Sequence, residues 1–571
     1  MVPPGRLEIF RHSLKRIVEE MGVTLQRTAY STNIKIRRDH TCALFDRDLR
    51  HIAQHDIAPQ HIGSLVSVVS RNMRDRDDLE PGDGILINDP YKGAVHLPDV
   101  ILICPLFYED ELIGYAANSA HHVDIGGPTP GGIPTDSTDL YGEGIILPGV
   151  KAVKGWTYNE EMINLITRNV RSPEMRVGDY RAQLGANRIG GQRYGKLYEE
   201  YGTGDISEYL DELLNYTERL VRSTIKDLPD GTYEAHDYMD GDGINDEELL
   251  LILTVEVEGD EMSLDFTGTA EENEGPLNCT PAMAFAGTMA VVMSLLGGDL
   301  PKNEGFYRPF EIVAPEGSMV NPTSNHPVAA GWEIAVRSGD LVTKAMADAL
   351  PEQTIAATKG IICNIAYGGR DPRDDQNYVY YETVGGGYGA RATKDGIDGV
   401  QAHYQNTANS PIEELETEIP LYVRRYELIE DSEGAGRWRG GLGIRRDMEF
   451  YDHESSFTVL SDRTKNRPWG LFGGHAARPA KYVINPDDDP KVVSSKSTTK
   501  LESSDIASVQ TPGGGGYGDP TERSPERVLI DVVNEKISVE KAQEEYGVVV
   551  DKDDRSVVEA ATKARREEMN E

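Results

Sequence analysis

The chain is poor in cysteine, and this shortage excludes two kinds of covalent or metal framework. Its 571 residues contain four cysteines, Cys42, Cys104, Cys279 and Cys363, which lie far apart and form no Cys-x-x-Cys pair. A disulfide framework and a thiolate zinc site are therefore excluded, and reduced thiols in a cytoplasm are expected. We interpret Cys104, which lies inside an apolar run, as a small core residue rather than a nucleophile.

Basic residues and long apolar runs are also scarce. The chain has 58 Lys and Arg against 96 Asp and Glu, a net charge of -38. Nucleic-acid binding requires a basic face and is not expected. The acids are spread along the chain, which suggests a protein of a high-salt cytoplasm; an acidic mesophilic enzyme is the alternative. No run reaches the ~18 apolar residues of a membrane span, and the N-terminus lacks a signal-peptide pattern, so a cytoplasmic location is predicted.

Several common motifs of nucleotide-binding and hydrolytic proteins are absent. No Gly-x-x-x-x-Gly-Lys-Ser/Thr sequence occurs, so this chain has no P-loop of its own, and Gly-x-Ser-x-Gly is also missing. The glycine run 513–518 satisfies Gly-x-Gly-x-x-Gly trivially, and Asp519-Pro520 follows where a helix should open. We interpret this run as a mobile or tightly turning loop, not as a dinucleotide site.

The length and the residue patterns predict an α+β fold with several subdomains, mixed or antiparallel sheets, helical insertions and a small C-terminal helical segment. The expected regions are an N-terminal α/β region with a metal site, a helical region, a mixed β-rich region, and a final part with an exposed loop, a Gly-rich turn and small helices: 1–150, 151–230, 231–485 and 486–571. The Ser/Thr-rich stretch 486–505 is predicted to be the exposed loop. A helix is predicted over Leu341–Leu350, ended by Pro351.

Histidine and carboxylate residues concentrate between two apolar runs. The runs Val100–Phe107 and Leu112–Ala117 indicate two strands of a hairpin. Such a hairpin would bring His96 and Asp99, before the first strand, to His121, after the second. Imidazole nitrogen and carboxylate oxygen are ligands of Mn²⁺, Fe²⁺ or Zn²⁺. The alternative is a set of polar loop residues that cap strand ends.

Two further segments are candidates for the same site. The stretch 126–148 is mostly Gly, Pro, Thr and Asp, and a loop this long is more often functional than idle, so it could carry Glu143 toward the histidines. Lys35, Arg37 and Arg38 concentrate positive charge in an acidic protein. They could hold an anionic group of a substrate, or they could form a solvated turn.

An ordered set of short motifs extends over nearly the whole chain. The motifs are Asn88-Asp89-Pro90-Tyr91, His96-Leu97-Pro98-Asp99-Val100, His121-His122-Val123-Asp124-Ile125-Gly126-Gly127, Asp136-Ser137-Thr138, Gly275-Pro276-Leu277-Asn278-Cys279, Arg437-Trp438-Arg439-Gly440-Gly441-Leu442-Gly443 and Pro468-Trp469-Gly470. No single motif is decisive, whereas their order is highly specific. In this ordered set the chain resembles the hydantoinase B / ATP-dependent oxoprolinase family.

The resemblance implies a B-type component, as in N-methylhydantoinase, that works in a hetero-oligomer with an A-type component. The A-type component would bind ATP, and the pair would hydrolyse a five-membered cyclic amide such as N-methylhydantoin or 5-oxoproline. Related members belong to acetone- and acetophenone-type carboxylases, in which His-x-x-Asp and a later His hold Mn²⁺. By this resemblance His96, Asp99 and His121 are the metal ligands, with Mn²⁺ as the first expectation and Fe²⁺ or Zn²⁺ as alternatives.

The remaining roles are hypotheses built on that resemblance. His122, Asp124 and Glu143 are candidate catalytic residues, as a general base or as groups that orient a ligand. The candidate substrate-binding residues are Lys35, Arg37, Arg38 and Asp89. Two other functions stay open: the metal-containing subunit of an ATP-dependent ketone carboxylase, and a non-catalytic scaffold for the A-type component.

Overall fold

The computed structural model describes residues 2–55, 57, 59–551 and 553–569, and it has the expected α+β architecture. None of the described helices is both long enough and apolar enough to cross a membrane. The α-helices of the described residues are α1 (Pro4–Thr28), α2 (Thr32–Lys35), α3 (Ser64–Met73), α4 (Glu160–Arg168), α5 (Pro173–Tyr201), α6 (Thr203–Ile225), α7 (Pro281–Leu296), α8 (Glu304–Tyr307), α9 (Gly331–Ala345), α10 (Ile412–Glu418), α11 (Pro525–Val533), α12 (Val539–Glu544) and α13 (Glu559–Met569).

A seven-stranded antiparallel sheet organises the N-terminal part. Its strands are β1 (His40–Asp46), β2 (His51–Gln54), β3 (Gly84–Ile87), β4 (Asp99–Tyr108), β5 (Glu111–His121), β6 (Pro148–Lys154) and β7 (Thr157–Tyr158), in the order β2-β1-β5-β4-β3-β6-β7. Alternate side chains of β1 enter different apolar clusters, one with α1 and α5 and one with α3. Both faces of this sheet are therefore covered, which explains why β1 is buried throughout.

A four-stranded sheet follows the helices α4 to α6. It consists of β8 (Gly231–Met239), β9 (Leu249–Glu258), β10 (Glu261–Asp265) and β11 (Phe310–Val313), in the order β11-β10-β9-β8. The β9–β10 hairpin is antiparallel, whereas β11 joins β10 in parallel. Helices α7 and α9 belong to the same large apolar cluster as this sheet, which includes buried side chains of β8 and β9.

The C-terminal part contains two sheets that share one apolar cluster. The first has the order β13-β12-β16-β19 and consists of β12 (Asn364–Arg370), β13 (Asn377–Thr383), β16 (Ser455–Leu460) and β19 (Lys496–Leu501). The second has the order β14-β15-β20-β17-β18 and consists of β14 (Leu421–Leu428), β15 (Ile444–Phe450), β17 (Lys481–Ile484), β18 (Lys491–Val493) and β20 (Ile506–Gln510). A short pair, β21 (Val550–Asp551) and β22 (Ser556–Val557), lies before α13.

Two predictions of local structure were wrong. The stretch 486–505 is not an exposed loop, because β18 and β19 lie within it and pair with β17 and β16. The helix predicted over 341–350 is α9, which begins ten residues earlier, at Gly331. It ends at Ala345, so Pro351 lies beyond the helix and does not end it. The expected hairpin is present as β4–β5, and the expected small C-terminal helical segment is present as α11 to α13.

The glycine run 513–518 is buried up to residue 517, and other backbone segments pass in close contact with it. A Cβ atom at Gly513 would lie 2.0 Å from the carbonyl oxygen of Ser432, and one at Gly515 would lie 1.9 Å from that of Trp469. The amide of Gly515 donates to the carbonyl of Ala357. Glycine is thus required for close backbone approach. The regional boundaries 1–150, 151–230, 231–485 and 486–571 stay a prediction.

Candidate metal centre

The β4–β5 hairpin brings two imidazoles and one carboxylate together in the interior. The His96 Nε2 atom lies 3.0 Å from Asp99 Oδ2, and His121 Nδ1 lies 3.3 Å from Asp99 Oδ1. One ligand atom from each of the three side chains can be chosen so that all lie within 4.8 Å of one another. Each side chain is at most 4% exposed. This arrangement suits shared coordination of one cation.

Strand register explains why these residues meet. Asp99 begins β4 and His121 ends β5, and the two are direct partners in the ladder. The amide of Asp99 donates to the carbonyl of His96, which fixes the turn before the strand. The amide of His121 donates to the carbonyl of Asp39, and Asn33 Nδ2 donates to the carbonyl of His121 at 2.8 Å. Backbone bonds therefore hold the ends of both strands.

Aromatic rings from distant parts of the chain surround the cluster. The His121 ring stacks on Tyr381 of β13, with 4.5 Å between centroids and 17° between planes. The ring of Trp332, in α9, is perpendicular to the His96 ring, with 6.1 Å between their centroids. The Arg37 guanidinium lies 5.1 Å from the Tyr381 ring centroid and donates to the Tyr381 carbonyl at 2.6 Å. These rings restrict the orientation of the two imidazoles.

Asp39 and His61 lie beside the cluster, and neither was among the predicted site residues. The His61 Nε2 atom is 3.7 Å from Asp39 Oδ1, and the His61 ring meets Trp332 at 6.1 Å. Asp39 directly precedes β1, and β1 pairs with β5 from His40 opposite Ala120 onward. The position of Asp39 directly before a strand could be recognised from the sequence. The pairing of that strand with β5, which brings Asp39 to the cluster, could not.

The electrostatics favour the protonation states that a cation needs. Burial opposes ionisation of Asp99, but the adjacent imidazoles of His96 and His121 hold its pKa well below the usual value. Burial also opposes ionisation of Asp39, but the neighbouring imidazoles of His61 and His121 hold its pKa below the usual value. Burial lowers the pKa of His121 against the pull of Asp99. An ionised carboxylate and a neutral imidazole are the ligating forms.

Unpartnered polar atoms test whether a cation fits. Among the described residues, neither ring nitrogen of His96 completes a hydrogen bond, and Nε2 of His121 also has no hydrogen-bond partner. Buried polar atoms without partners cost free energy, so native proteins rarely contain them. Two imidazoles and a carboxylate form a ligand set typical of Mn²⁺, Fe²⁺ or Zn²⁺. The residues therefore fit a divalent transition metal.

His122 and Asp124, two of the predicted catalytic residues, make contacts elsewhere. The His122 ring packs on Tyr180 of α5 at 4.7 Å, and its Nε2 lies 3.1 Å from Gln183 Oε1. Burial, aided by the charge of Arg176, lowers its pKa to about 4. The carboxylate of Asp124 accepts hydrogen bonds from the loop that follows it and from Arg171: Gly126 N, Gly131 N, Arg171 N and Arg171 Nη1.

Glu143 joins its loop to the segment before α9. Its Oε1 accepts from the amides of Val328 and Ala329 at 2.7 and 2.8 Å, and from Ser137 Oγ at 3.4 Å. Its Oε2 has no partner among the described residues. Burial raises the pKa of this carboxyl to about 8. These bonds hold Glu143 against the segment that precedes Trp332. Glu143 is therefore linked to the cluster indirectly, through Trp332.

The predicted substrate-binding residues are not gathered at the cluster. Lys35 and Arg38 are exposed, whereas Arg37 is buried and bonded to β13 through the Tyr381 carbonyl and Thr383 Oγ1. Asp89 accepts from the amide of Tyr91 and caps the 3-10 turn Pro90–Lys92. Of the ten predicted site residues, the structure brings together His96, Asp99 and His121, with Arg37 adjacent through Tyr381.

The fold and the cluster define a class of α+β proteins with a buried cluster of two histidines and one aspartate, and comparison with known proteins gives the family. Residues 4–520 match the sequence profile described as hydantoinase B/oxoprolinase. The chain belongs to this family. It is 36% identical to the B component of a putative D-/L-hydantoinase from a Pseudomonas species, strain NS671, over 96% of this chain and 95% of that protein.

Two solved structures resemble the chain as a whole. The ATP-dependent caprolactamase from Pseudomonas jessenii has a TM-score of 0.91 at 29% identity, and the match covers 99% of this chain and 100% of that one. A nucleotide-free acetone carboxylase has a TM-score of 0.93 at 20% identity and covers 99% of this chain and 83% of that one. The second likeness concerns the fold alone.

Proposed function

We propose that this chain is the metal-holding subunit of an ATP-dependent hydrolase that opens a cyclic amide, of the N-methylhydantoin or 5-oxoproline type. The observation that carries the proposal is the buried set His96, Asp99 and His121, whose ring nitrogens include atoms without hydrogen-bond partners. Membership of the hydantoinase B/oxoprolinase family supports the reaction class. Four buried, unpaired cysteines suit the cytoplasmic location proposed with it.

Within this proposal, each protein group has a defined task. The Asp99 carboxylate and the imidazoles of His96 and His121 would hold Mn²⁺, or Fe²⁺ or Zn²⁺ in its place. A divalent ion supplies Lewis acidity when bound. Tyr381 and Trp332 restrict the orientation of the two imidazole planes. His61, whose pKa is raised by Asp39 although burial opposes the rise, is placed to hold a proton beside the cluster.

A second protein supplies the ATP chemistry in this proposal. The chain has no P-loop of its own, although this alone would not exclude other nucleotide folds. The relative from strain NS671 is named as one of the subunits of its enzyme, and the caprolactamase of similar structure is described as ATP-dependent. We therefore propose a hetero-oligomer in which an A-type partner binds ATP and this chain binds none.

Metal analysis combined with a ring-opening assay tests the proposal. The purified chain should contain about one divalent transition-metal ion, and Asp99→Ala should lose it, because one of three ligands is removed. Mixed with the A-type partner and ATP, the native chain should consume N-methylhydantoin or 5-oxoproline, and Asp99→Ala should not. His236→Ala, a change on the exposed face of β8, is the matched control and should keep both metal and activity.

Three results would contradict parts of the proposal. Full activity of Asp99→Ala in the complex would indicate a scaffold. Turnover of acetone or acetophenone only with bicarbonate would indicate a ketone carboxylase. A native chain without bound metal, which also fails to bind added Mn²⁺ or Zn²⁺, would remove the basis for any role of the cluster in catalysis.

A further inference from the structure

The outer edge of the second C-terminal sheet is open over half of its length. Strand β14 is the last strand of this sheet and pairs with β15 alone among the described strands. Glu416 of α10 accepts from the amide of Val423 at 2.8 Å, which caps the first half of the edge. Outside the ladder with β15, the backbone of residues 424–428 makes no hydrogen bond to a described residue. An edge of this kind can pair with a further strand.

Large apolar side chains are exposed along the same strand. Tyr422, Tyr426 and Leu428 are 43%, 43% and 45% exposed. Tyr426 is held in position, because the guanidinium of Arg446 lies 4.9 Å from its ring centroid and its hydroxyl donates to Asn409 Oδ1 at 3.2 Å. Exposed apolar side chains that are already ordered are typical of a surface that binds another protein.

Two charged side chains beside Tyr426 keep unused capacity for binding. Arg425 Nη2 donates to Asp487 Oδ2 at 3.0 Å, but its other N–H groups make no hydrogen bond to a described residue. The Glu427 carboxylate lies 3.7 Å from Arg425 Nη1 and accepts no hydrogen bond from a described residue. The two side chains are 40% and 52% exposed. A guanidinium has five N–H donors and a carboxylate has two acceptor oxygens, so both groups can bind an opposite charge from outside.

The order of these residues is self-complementary. We propose that β14 pairs antiparallel with β14 of a second copy of this chain, about a twofold axis at Tyr426. Residues equally distant from such an axis lie opposite each other. Arg425 then faces Glu427 of the second copy, and the symmetry repeats this pair of opposite charges. An axis at Arg425 or at Glu427 would instead bring like charges together.

The acidity of the chain restricts where two copies can meet. Each copy has a net charge of -38, so most of its surface repels a second copy. Beside β14 the charges are locally balanced, because Arg424 is paired with Glu449, and Arg445 lies 2.7 Å from Asp447. Joining two copies at this edge would make one continuous sheet with five strands from each copy. The inference is independent of the proposed function, since the metal cluster belongs to the N-terminal sheet.

Sedimentation velocity of the full chain over a dilution series tests the inference. The native chain should form a concentration-dependent species of twice 63.0 kDa. Glu427→Arg would bring arginines together twice and should weaken the dimer about tenfold. Arg425→Glu, Glu427→Arg exchanges the two charges and should restore the native affinity. Glu258→Arg changes the net charge equally at an exposed position of β9 and should have no effect.

Disulfide cross-linking of Tyr426→Cys tests the position of the axis. The native cysteines are buried, so only the introduced thiol should react with dioxygen and copper phenanthroline. Two chains that meet at residue 426 have this position within reach of a disulfide and should become covalent dimers. Tyr422→Cys, at an equally exposed position, is the control. Its two thiols would lie about 26 Å apart along the strands and should not join.

Each result decides the inference. A chain that stays at 63.0 kDa at every concentration would overturn it and leave the edge to a different protein. A dimer that is equally stable in Glu427→Arg, or one that the exchanged charges fail to restore, would also overturn it. Cross-linking of Tyr422→Cys as efficient as that of Tyr426→Cys would exclude the proposed axis. Dimerisation lost in Glu427→Arg and regained with the exchanged charges would support it, whatever the metal content or the turnover.

Discussion

Tyr381 is the residue that most directly restrains a candidate metal ligand from outside the hairpin. Its ring stacks on His121, and its hydroxyl donates to Asn364 Oδ1 at 2.6 Å. Replacing Tyr381 by Leu removes the stacked ring, so His121 gains rotational freedom that metal binding must then remove. We expect about a tenfold loss of affinity for Mn²⁺ or Zn²⁺, as for other groups that orient ligands, measured by competition with a chelator.

The matched control for that change is Tyr381→Phe. It keeps the stacked ring and removes only the hydroxyl, so its metal affinity should stay within about twofold of the native value, a difference well under ~1.4 kcal/mol. If Phe and Leu weaken metal binding equally, the bond to Asn364 rather than the stacking orients His121. If neither does so, the imidazole is held by its backbone alone.

Glu143 gives a prediction about pH. Its pKa is raised from 4.5 to about 8 by burial, so between these values the folded chain keeps a proton that the unfolded chain releases. Stability from this group is complete below pH 4.5 and is lost as the pH rises toward 8, by up to ~1.4 kcal/mol per pH unit. Glu143→Gln cannot titrate, so the fall in unfolding free energy from about pH 5 to about pH 8 should be smaller, as measured by urea denaturation.

Glu333 also contributes to the pH dependence of the unfolding free energy and serves as the comparison for Glu143. Burial also raises its pKa to about 8, so a residual slope should remain in Glu143→Gln and decrease further in Glu143→Gln, Glu333→Gln. An identical slope in native protein and Glu143→Gln would mean that Glu143 is ionised in the folded chain at neutral pH.

At the same scale, the sequence allowed the hairpin residues of the site to be predicted but not the surrounding rings. His96, Asp99 and His121 flank two apolar runs joined by a short turn, so strand alternation and antiparallel pairing are enough to bring them together. Trp332 and Tyr381 reach the cluster through the packing of α9 and β13 against the N-terminal sheet. No local pattern encodes that packing, and these residues were missed.

Among the elements, the β4–β5 hairpin positions all three candidate ligands, and its turn is strained. Glu109 and Asp110 connect the strands with φ of 47° and 63°, a left-handed conformation that is unfavourable for Glu, less so for Asp, and most accessible to Gly. Glu109→Asn, Asp110→Gly suits such a turn, so the unfolding free energy should rise by about 1 kcal/mol. Urea denaturation measures the gain, and the metal content should not change.

A substitution with the opposite expected effect on stability provides the control for the turn. Asp110→Pro imposes a negative φ at a position that has a positive one, so it should destabilise the hairpin and lower the metal content together. Equal stability of all three proteins would indicate that the turn is not strained and that the register of Asp99 and His121 depends on the flanking strands alone.

The two elements that were predicted wrongly, α9 and β19, were missed for different physical reasons. In α9 even Glu333, Arg337 and Asp340 are buried, so its polar residues face partners inside the protein and the helix has no polar face to reveal its start. In β19, exposed and less exposed positions alternate along Ser and Thr. Leu501 is the only aliphatic residue of β19, so the sequence of this polar edge strand resembles that of a loop.

On the scale of the whole molecule, buried ion pairs connect parts of the chain that are distant in sequence. Arg337 of α9 donates to Asp462 at 2.9 Å, and Lys496 of β19 donates to the same carboxylate at 2.8 Å. Arg463 lies 3.0 Å from Asp237 of β8. All of these side chains are buried, so salt screens their interactions little. The α+β class followed from sequence patterns, but these pairings depend on the assembled fold.

The exposed charges behave differently, and they give a prediction for the intact chain. With 96 acids and 58 bases, the surface repels itself, and the repulsion is relieved when the Debye length falls from ~10 Å at ~0.1 M salt to ~3 Å at ~1 M. The thermal unfolding midpoint should therefore rise by several degrees as KCl increases over that range. The buried pairs among Arg337, Asp462 and Lys496 should persist throughout.

The choice of salt separates screening from specific binding. NaCl should act as KCl does if screening is the cause, whereas a gain with KCl alone would indicate specific cation binding. An unfolding midpoint that falls with both salts would show that attraction between surface charges outweighs their repulsion. The proposed adaptation to a high-salt cytoplasm would then be abandoned, because the acidic surface would gain nothing from the ions that such a cytoplasm supplies.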